Sequence, residues 1–98
     1  MWIMTQEKQR IVNADQITNI YIYKHVDYDI MAVVPDGDQS FAITLGSYES
    51  REVCIRILER MLGLIGLNEK VAYIVMPLGG EVDEWCTKME MHLGRFIR

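Results

Sequence analysis

The 98-residue chain has no long apolar run. Its richest stretch, Met61 to Leu67, holds two glycines and falls well short of the roughly 18 consecutive apolar residues that a membrane-spanning helix needs. Cysteine is scarce as well: Cys54 and Cys86 are the only two, they form no CxxC pair, and they are too few for a disulfide framework or a four-thiolate zinc site. A reducing, cytoplasmic home is the expectation. Basic charge does not prevail either. Ten Lys and Arg face fourteen Asp and Glu, a net charge of −4, which opposes a protein that tracks a phosphate backbone by displacing its counterions. The amino end, Met1-Trp2-Ile3-Met4 running into Thr5-Gln6-Glu7-Lys8, has no basic stretch, apolar segment and small-residue cleavage site in series, so no export signal is expected.

What is present describes a core-forming chain: 50% apolar and 24% charged residues, without low-complexity segments or a composition break. One domain over residues 1–98 is expected. Trp2 to Thr5, a polar Gln6 to Arg10 and a renewed apolar Ile11-Val12 read as a hairpin. Gln16 to Val26 and Tyr28 to Val34, rich in β-branched and aromatic residues, read as strands. Pro35-Asp36-Gly37-Asp38 then turns the chain, with Pro presetting one φ and Gly taking a positive one, and Phe41 to Leu45 returns antiparallel.

Past Gly46 the apolar period lengthens from two to three or four. Ser47 or Ser50 caps a helix predicted over Tyr48 to Ile65. Its apolar residues, Val53, Cys54, Ile57, Leu58, Met61, Leu64 and Ile65, share one side, and Ile55 with Leu62 widens the arc to about 200°, more than one sheet face can cover. Val71 to Met76 reads as a buried strand stopped by Pro77. A second amphipathic helix follows Gly79-Gly80, with Val82, Trp85, Cys86, Met89, Leu93, Phe96 and Ile97 on one face, acids at its start and bases toward its end. The fold class is α+β: an antiparallel β-meander of about five to six strands, an amphipathic helix on one face, and a second, C-terminal helix.

Motifs that carry chemistry fall short. Asp36-Gly37-Asp38-Gln39-Ser40 opens like a calcium loop, but Phe41 stands where Gly belongs and Ser47 where a bidentate Glu belongs, leaving a turn. Gly63-Leu64-Ile65-Gly66 has the spacing of an RNA-clamping GxxG loop, yet its centre is apolar and ends a helix. His25, Asp27 and Asp29 form a weak polar candidate for a metal or an acid–base pair. His92 borders the second helix's apolar arc, and both thiols fall on apolar helix faces, where burial blunts nucleophilicity. No nucleophile elbow or phosphate-cradling glycine pattern occurs. Most of the seven methionines read as core filling. No catalytic residue, metal site or cofactor is expected.

Met1-Trp2-Ile3-Met4-Thr5-Gln6-Glu7-Lys8 with Ile11-Val12-Asn13, then Leu45-Gly46-Ser47-Tyr48 leading into Arg51-Glu52 and Ile57-Leu58, and finally Tyr73-Ile74-Val75-Met76-Pro77, resemble small uncharacterised α+β proteins of Gram-positive bacteria and their prophages. The resemblance implies a compact α+β fold and supplies no activity. The tail after Pro77 departs from it.

The functional expectation is therefore a non-enzymatic protein–protein interaction protein, encoded on a mobile element. Its interface would comprise Ile55, Leu62, Trp85, Met89 and Phe96, engaged by a second copy in a homodimer or by another protein. A small-ligand or metal-responsive module built on His25, Asp27 and Asp29 is the alternative, and a nucleic-acid accessory protein ranks last.

Overall fold

In the computed structural model, the backbone is described over residues 1–66 and 73–97, and side chains over 1–65 and 73–89. The elements run β1 (Trp2–Met4), β2 (Ile11–Asn13), β3 (Asn19–Lys24), β4 (Tyr28–Asp36), β5 (Gln39–Tyr48), α1 (Arg51–Gly66), β6 (Tyr73–Val75) and α2 (Val82–Ile97). Short 3-10 turns lie at Ala14–Gln16 and Gly79–Glu81. The α+β class stands as read, with a correction to the sheet. The meander comprises β3, β4 and β5 alone, while β2, β1 and β6 form a second three-stranded sheet in that order, β1 antiparallel to β2 and parallel to β6. Parallel pairing needs a long crossover, and here the crossover is the whole meander plus α1. Val71, the expected first residue of the last strand, lies outside the described residues.

The turn after β4 is tighter than expected. Gly37 and Asp38 alone join β4 to β5, with Gly37 at φ +64, the residue type and position of a type II′ hairpin turn. Pro35 is therefore a strand residue, paired with Ser40. Counted outward from a two-residue turn, that pair is one without ladder bonds between its members. The missing N–H of Pro35 faces the β3 side, where β3 has already ended, since its first residue Asn19 lies opposite Val33.

A β-bulge re-aims β5. Ile30 pairs with Gly46 and Met31 with Thr44, so Leu45 is the extra residue. Before it Ile43 and Leu45 point inward; after it Gly46 and Tyr48 are buried, and the side-chain parity has switched. The Tyr48 ring lies across Gly46, where an added Cβ would stand 2.7 Å from the phenolic oxygen and 2.9 Å from a ring carbon. Only glycine fits there.

Ser50, one of the two expected caps, starts α1: its Oγ accepts the Val53 N–H at 3.2 Å. Helix α1 buries Cys54, Ile57, Met61 and Leu64 against Ile30, Ala32, Ile43 and Leu45 of the meander. Helix α2 buries Val82 and Cys86 and donates the Trp85 indole N–H to the Val75 carbonyl of β6 at 2.9 Å. Ile3, Val12 and Ile74 join the same apolar cluster from the smaller sheet.

One polar junction ties the two sheets. The backbone N–H of Gln6 donates to the Leu45 carbonyl at 2.8 Å. Its side-chain amide donates to the Ser47 carbonyl at 3.1 Å and accepts the Ser47 N–H at 2.9 Å, pairing with that residue as another peptide group would. The same Nε2 reaches the Pro77 carbonyl at 3.1 Å, which also accepts the Tyr48 hydroxyl at 2.8 Å. Gln6→Ala would strand the Ser47 N–H and C=O and leave the Pro77 carbonyl with the Tyr48 hydroxyl alone, and a loss of about 2–3 kcal/mol in urea denaturation is expected. A loss under about 0.5 kcal/mol would show that the junction is not coupled to global folding.

Candidate functional site

The expected polar site does not assemble. His25 sits in the β3–β4 connection with its ring stacked on Tyr23, centroids 6.4 Å apart, and its backbone N–H donates to the Asp27 carbonyl at 2.8 Å. Asp29 is already inside β4, cross-strand from Ser47, whose hydroxyl it accepts at 2.6 Å. Strand alternation commits Asp29 to its sheet neighbour. Among the described residues no group of three or more His, Cys, Asp or Glu side chains is placed to hold a metal ion.

The thiols are free and buried. Cys54 donates from Sγ to the Tyr28 carbonyl at 3.5 Å. Burial pushes its pKa up to about 11, and the charge of Asp29 adds to the shift. Burial, and then the neighbouring Cys54, also raise the Tyr48 phenol above its ordinary value. A thiol held protonated in an apolar layer is a packing group, not a nucleophile.

The surface is more informative. Ile55 and Leu62, the residues predicted to widen the apolar arc of α1, stand 37% and 74% exposed. Together with Leu58 and Ile65 they follow the i, i+3, i+7, i+10 spacing of a helix-packing seam. Helix α2 does not cover them: it sits on the opposite flank of α1, where Arg56 pairs with Asp83 at 2.7 Å. Ile20 of β3 and Leu58, Met61, Leu62 and Ile65 of α1 line a groove of about 240 Å³.

Trp85 and Met89, also expected at an interface, are half-buried against the chain's own core. Trp85 spends its indole donor on β6. The Phe96 side chain lies outside the described residues.

A second apolar surface was missed by sequence reasoning. The outer face of the smaller sheet carries Trp2 and Met4 from β1, Ile11 from β2 and Tyr73 from β6 around a shallow, almost wholly apolar concavity of about 370 Å³. Trp2, Ile11 and Tyr73 are each at least half exposed. Alternation along β1 places Trp2 and Met4 together, but their gathering with Ile11 and Tyr73 depends on the long-range registers Met4↔Ile11 and Trp2↔Tyr73. No helix among the described residues is long and apolar enough to cross a membrane. No protein-family model, curated protein or solved structure matches this chain.

The two buried hydroxyl and thiol protons make stability sensitive to alkali. Both folded-state pKa values lie above the unfolded ones: the Cys54 contribution is complete below pH 9 and is lost as pH rises through about 11, and that of Tyr48 is complete below pH 10 and is lost at more alkaline pH still. Urea midpoints measured from pH 8 to 11 are expected to fall, with a shallower fall in Cys54→Ala than in Cys86→Ala. Equal slopes in the two variants would remove Cys54 from the account.

Proposed function

We propose that this chain is a non-enzymatic protein–protein interaction protein whose docking surface is the Ile55–Leu62 flank of α1. The carrying observation is the exposure of Leu62, 74% in the middle of an apolar helical seam beside an apolar groove. Solvent-facing leucines scattered singly need no explanation, but a seam of four at helix-packing spacing is the arrangement that receives another helix or strand. The Trp2–Tyr73 face adds a second apolar surface. Two free, buried thiols support a reducing cytoplasmic setting, and we propose an accessory role on a mobile element.

A metal-responsive module is the weaker reading because its three residues do not converge. A nucleic-acid accessory role is weaker still, given the net charge of −4.

A photo-crosslinking residue placed at position 62, and in a second variant at 55, tests the reading in cells that make the protein. Adducts of discrete mass are expected at both positions, and none at the exposed turn residue Asp38. Position 62 giving no adduct, or the same adducts as position 38, would reject the flank as a docking surface.

A further inference from the structure

We infer that the occupant of this flank is a second copy of the chain, joined by antiparallel pairing of β3 with its two-fold mate. The inference rests on the docking reading above and names the partner. β3 is an edge strand of the meander. Its sequence, Asn19-Ile20-Tyr21-Ile22-Tyr23-Lys24, contains no proline, no bulge and a single charge, at its end. Natural edge strands are commonly protected by proline, bulges, inward charges or a covering segment. β3 has none of the first three, and no described residue hydrogen-bonds to its free side.

The other edges are treated differently. Gln6 occupies the outer side of β5 at Leu45 and Ser47, and β2 and β6 are three residues each.

The direction of the free groups follows from the hairpin turn. Asp36 and Gln39 flank a two-residue loop and exchange ladder bonds, so alternate residues of β4, from Pro35 back through Val33, Met31 and Asp29, face β3. Asn19, Tyr21 and Tyr23 of β3 are their ladder partners. Ile20 and Ile22 therefore present their N–H and C=O groups to the open side, while their side chains point into the layer occupied by α1. The open ladder and the apolar flank thus adjoin, with Ile20 lining the groove under Leu58 and Leu62.

Symmetry and the continuity of edge with flank select the occupant. A two-fold axis normal to the sheet reverses strand direction and keeps both helices on one face. It sets β3 antiparallel to its mate and brings the two Ile55–Leu62 flanks together. In the register centred on Tyr21, Ile20 meets Ile22 of the mate and Tyr23 meets Asn19, so the open N–H and C=O groups face one another and no like charges oppose within the paired strands. The flank is one stripe of a single helix, with Ile55 and Leu62 as its exposed residues, against the roughly 800 Å² per partner of a standard interface. An occupant that takes the edge and the flank together covers more than one that takes either alone, and a second copy brings both in the matching arrangement.

Sedimentation analysis from roughly 1 μM to 1 mM, combined with residue-resolved amide exchange at both ends of that range, tests the inference. A concentration-dependent dimer is expected, with the Ile20 and Ile22 amides slowed at least about tenfold at high concentration while Tyr21 and Tyr23 change little. Leu62→Lys, at an exposed position, should return the chain to monomer with its melting temperature unchanged when measured dilute. A monomer throughout, or a dimer whose Ile20 and Ile22 amides stay unprotected, would overturn the pairing. If the chain is monomeric and position 62 still crosslinks to another protein, the second copy is excluded and the docking surface survives. If position 62 crosslinks to nothing, the docking reading falls with it.

Discussion

The architecture depends on the side chain of Gln6. Strands of three residues form only short ladders, and β1, β2 and β6 are all of that length. Their apolar residues, Ile3, Val12 and Ile74, reach the common core, but burial is non-directional and does not set how one sheet is rotated against the other. The Gln6 amide supplies direction. It takes both backbone groups of Ser47 and a carbonyl beyond β6, so the first hairpin, the end of the meander and the start of the last helical segment are fixed to one point. Pro77, which has no N–H of its own, offers its carbonyl to Gln6 and Tyr48 together. The Tyr48 ring reaches it because the Leu45 bulge has switched the parity of β5, and Gly46 leaves room for the ring. Bulge, glycine, tyrosine and glutamine form one coupled set.

Little of that set was legible in the sequence, for a physical reason. Hydrophobic periodicity reports which face of an element is buried; it does not report which distant element lies beside it. The Ser50 cap, the apolar stripe of α1, the amino-terminal hairpin and the strand at Tyr73 all rest on contacts within a few residues, and each was readable; the start expected for α1 at Tyr48 was not, since Tyr48 ends β5 and the helix begins at Arg51. The parallel pairing of β1 with β6 joins residues about seventy positions apart and leaves no local mark. Pro35 was misplaced for a related reason. Proline next to Asp-Gly reads as a turn residue, and its tolerance within β4 depends on β3 ending opposite Val33, a property of a different segment.

The candidate surface divides along the same line. Ile55 and Leu62 were legible because an arc of about 200° on a helix exceeds what a single sheet face covers, and that excess is geometric. Trp85 was read as surplus because the apolar face of its helix offers more area than one thin sheet can cover, but the smaller sheet absorbs it, and that sheet could not be foreseen as a separate layer. The Trp2, Ile11 and Tyr73 concavity is the converse case. Each residue alone reads as core, and only the cross-strand registers turn all of them to the outside. His25, Asp27 and Asp29 are close in sequence, and a strand boundary at Tyr28 is enough to separate their roles.

Edge management links this fold to its proposed activity. A three-stranded meander has two edges, and the Gln6 junction occupies one of them at the bulge. Protecting the other with a charge on the inward face of β3 would place that charge beside Ile30 and Ala32, which have no exposed surface, at a high desolvation cost. The inward positions therefore remain isoleucine. An apolar, unprotected edge then has two outcomes: propagation by heterologous pairing, or closure by a two-fold contact that consumes both edges at once. The flank of α1 favours closure. Helices held on the same face as the pairing strands meet side by side only in the two-fold arrangement, and in a translated, head-to-tail arrangement the Ile55–Leu62 seam would have no matching seam to bury. The surplus apolar arc on the helix thus acts as a selector for the symmetric contact.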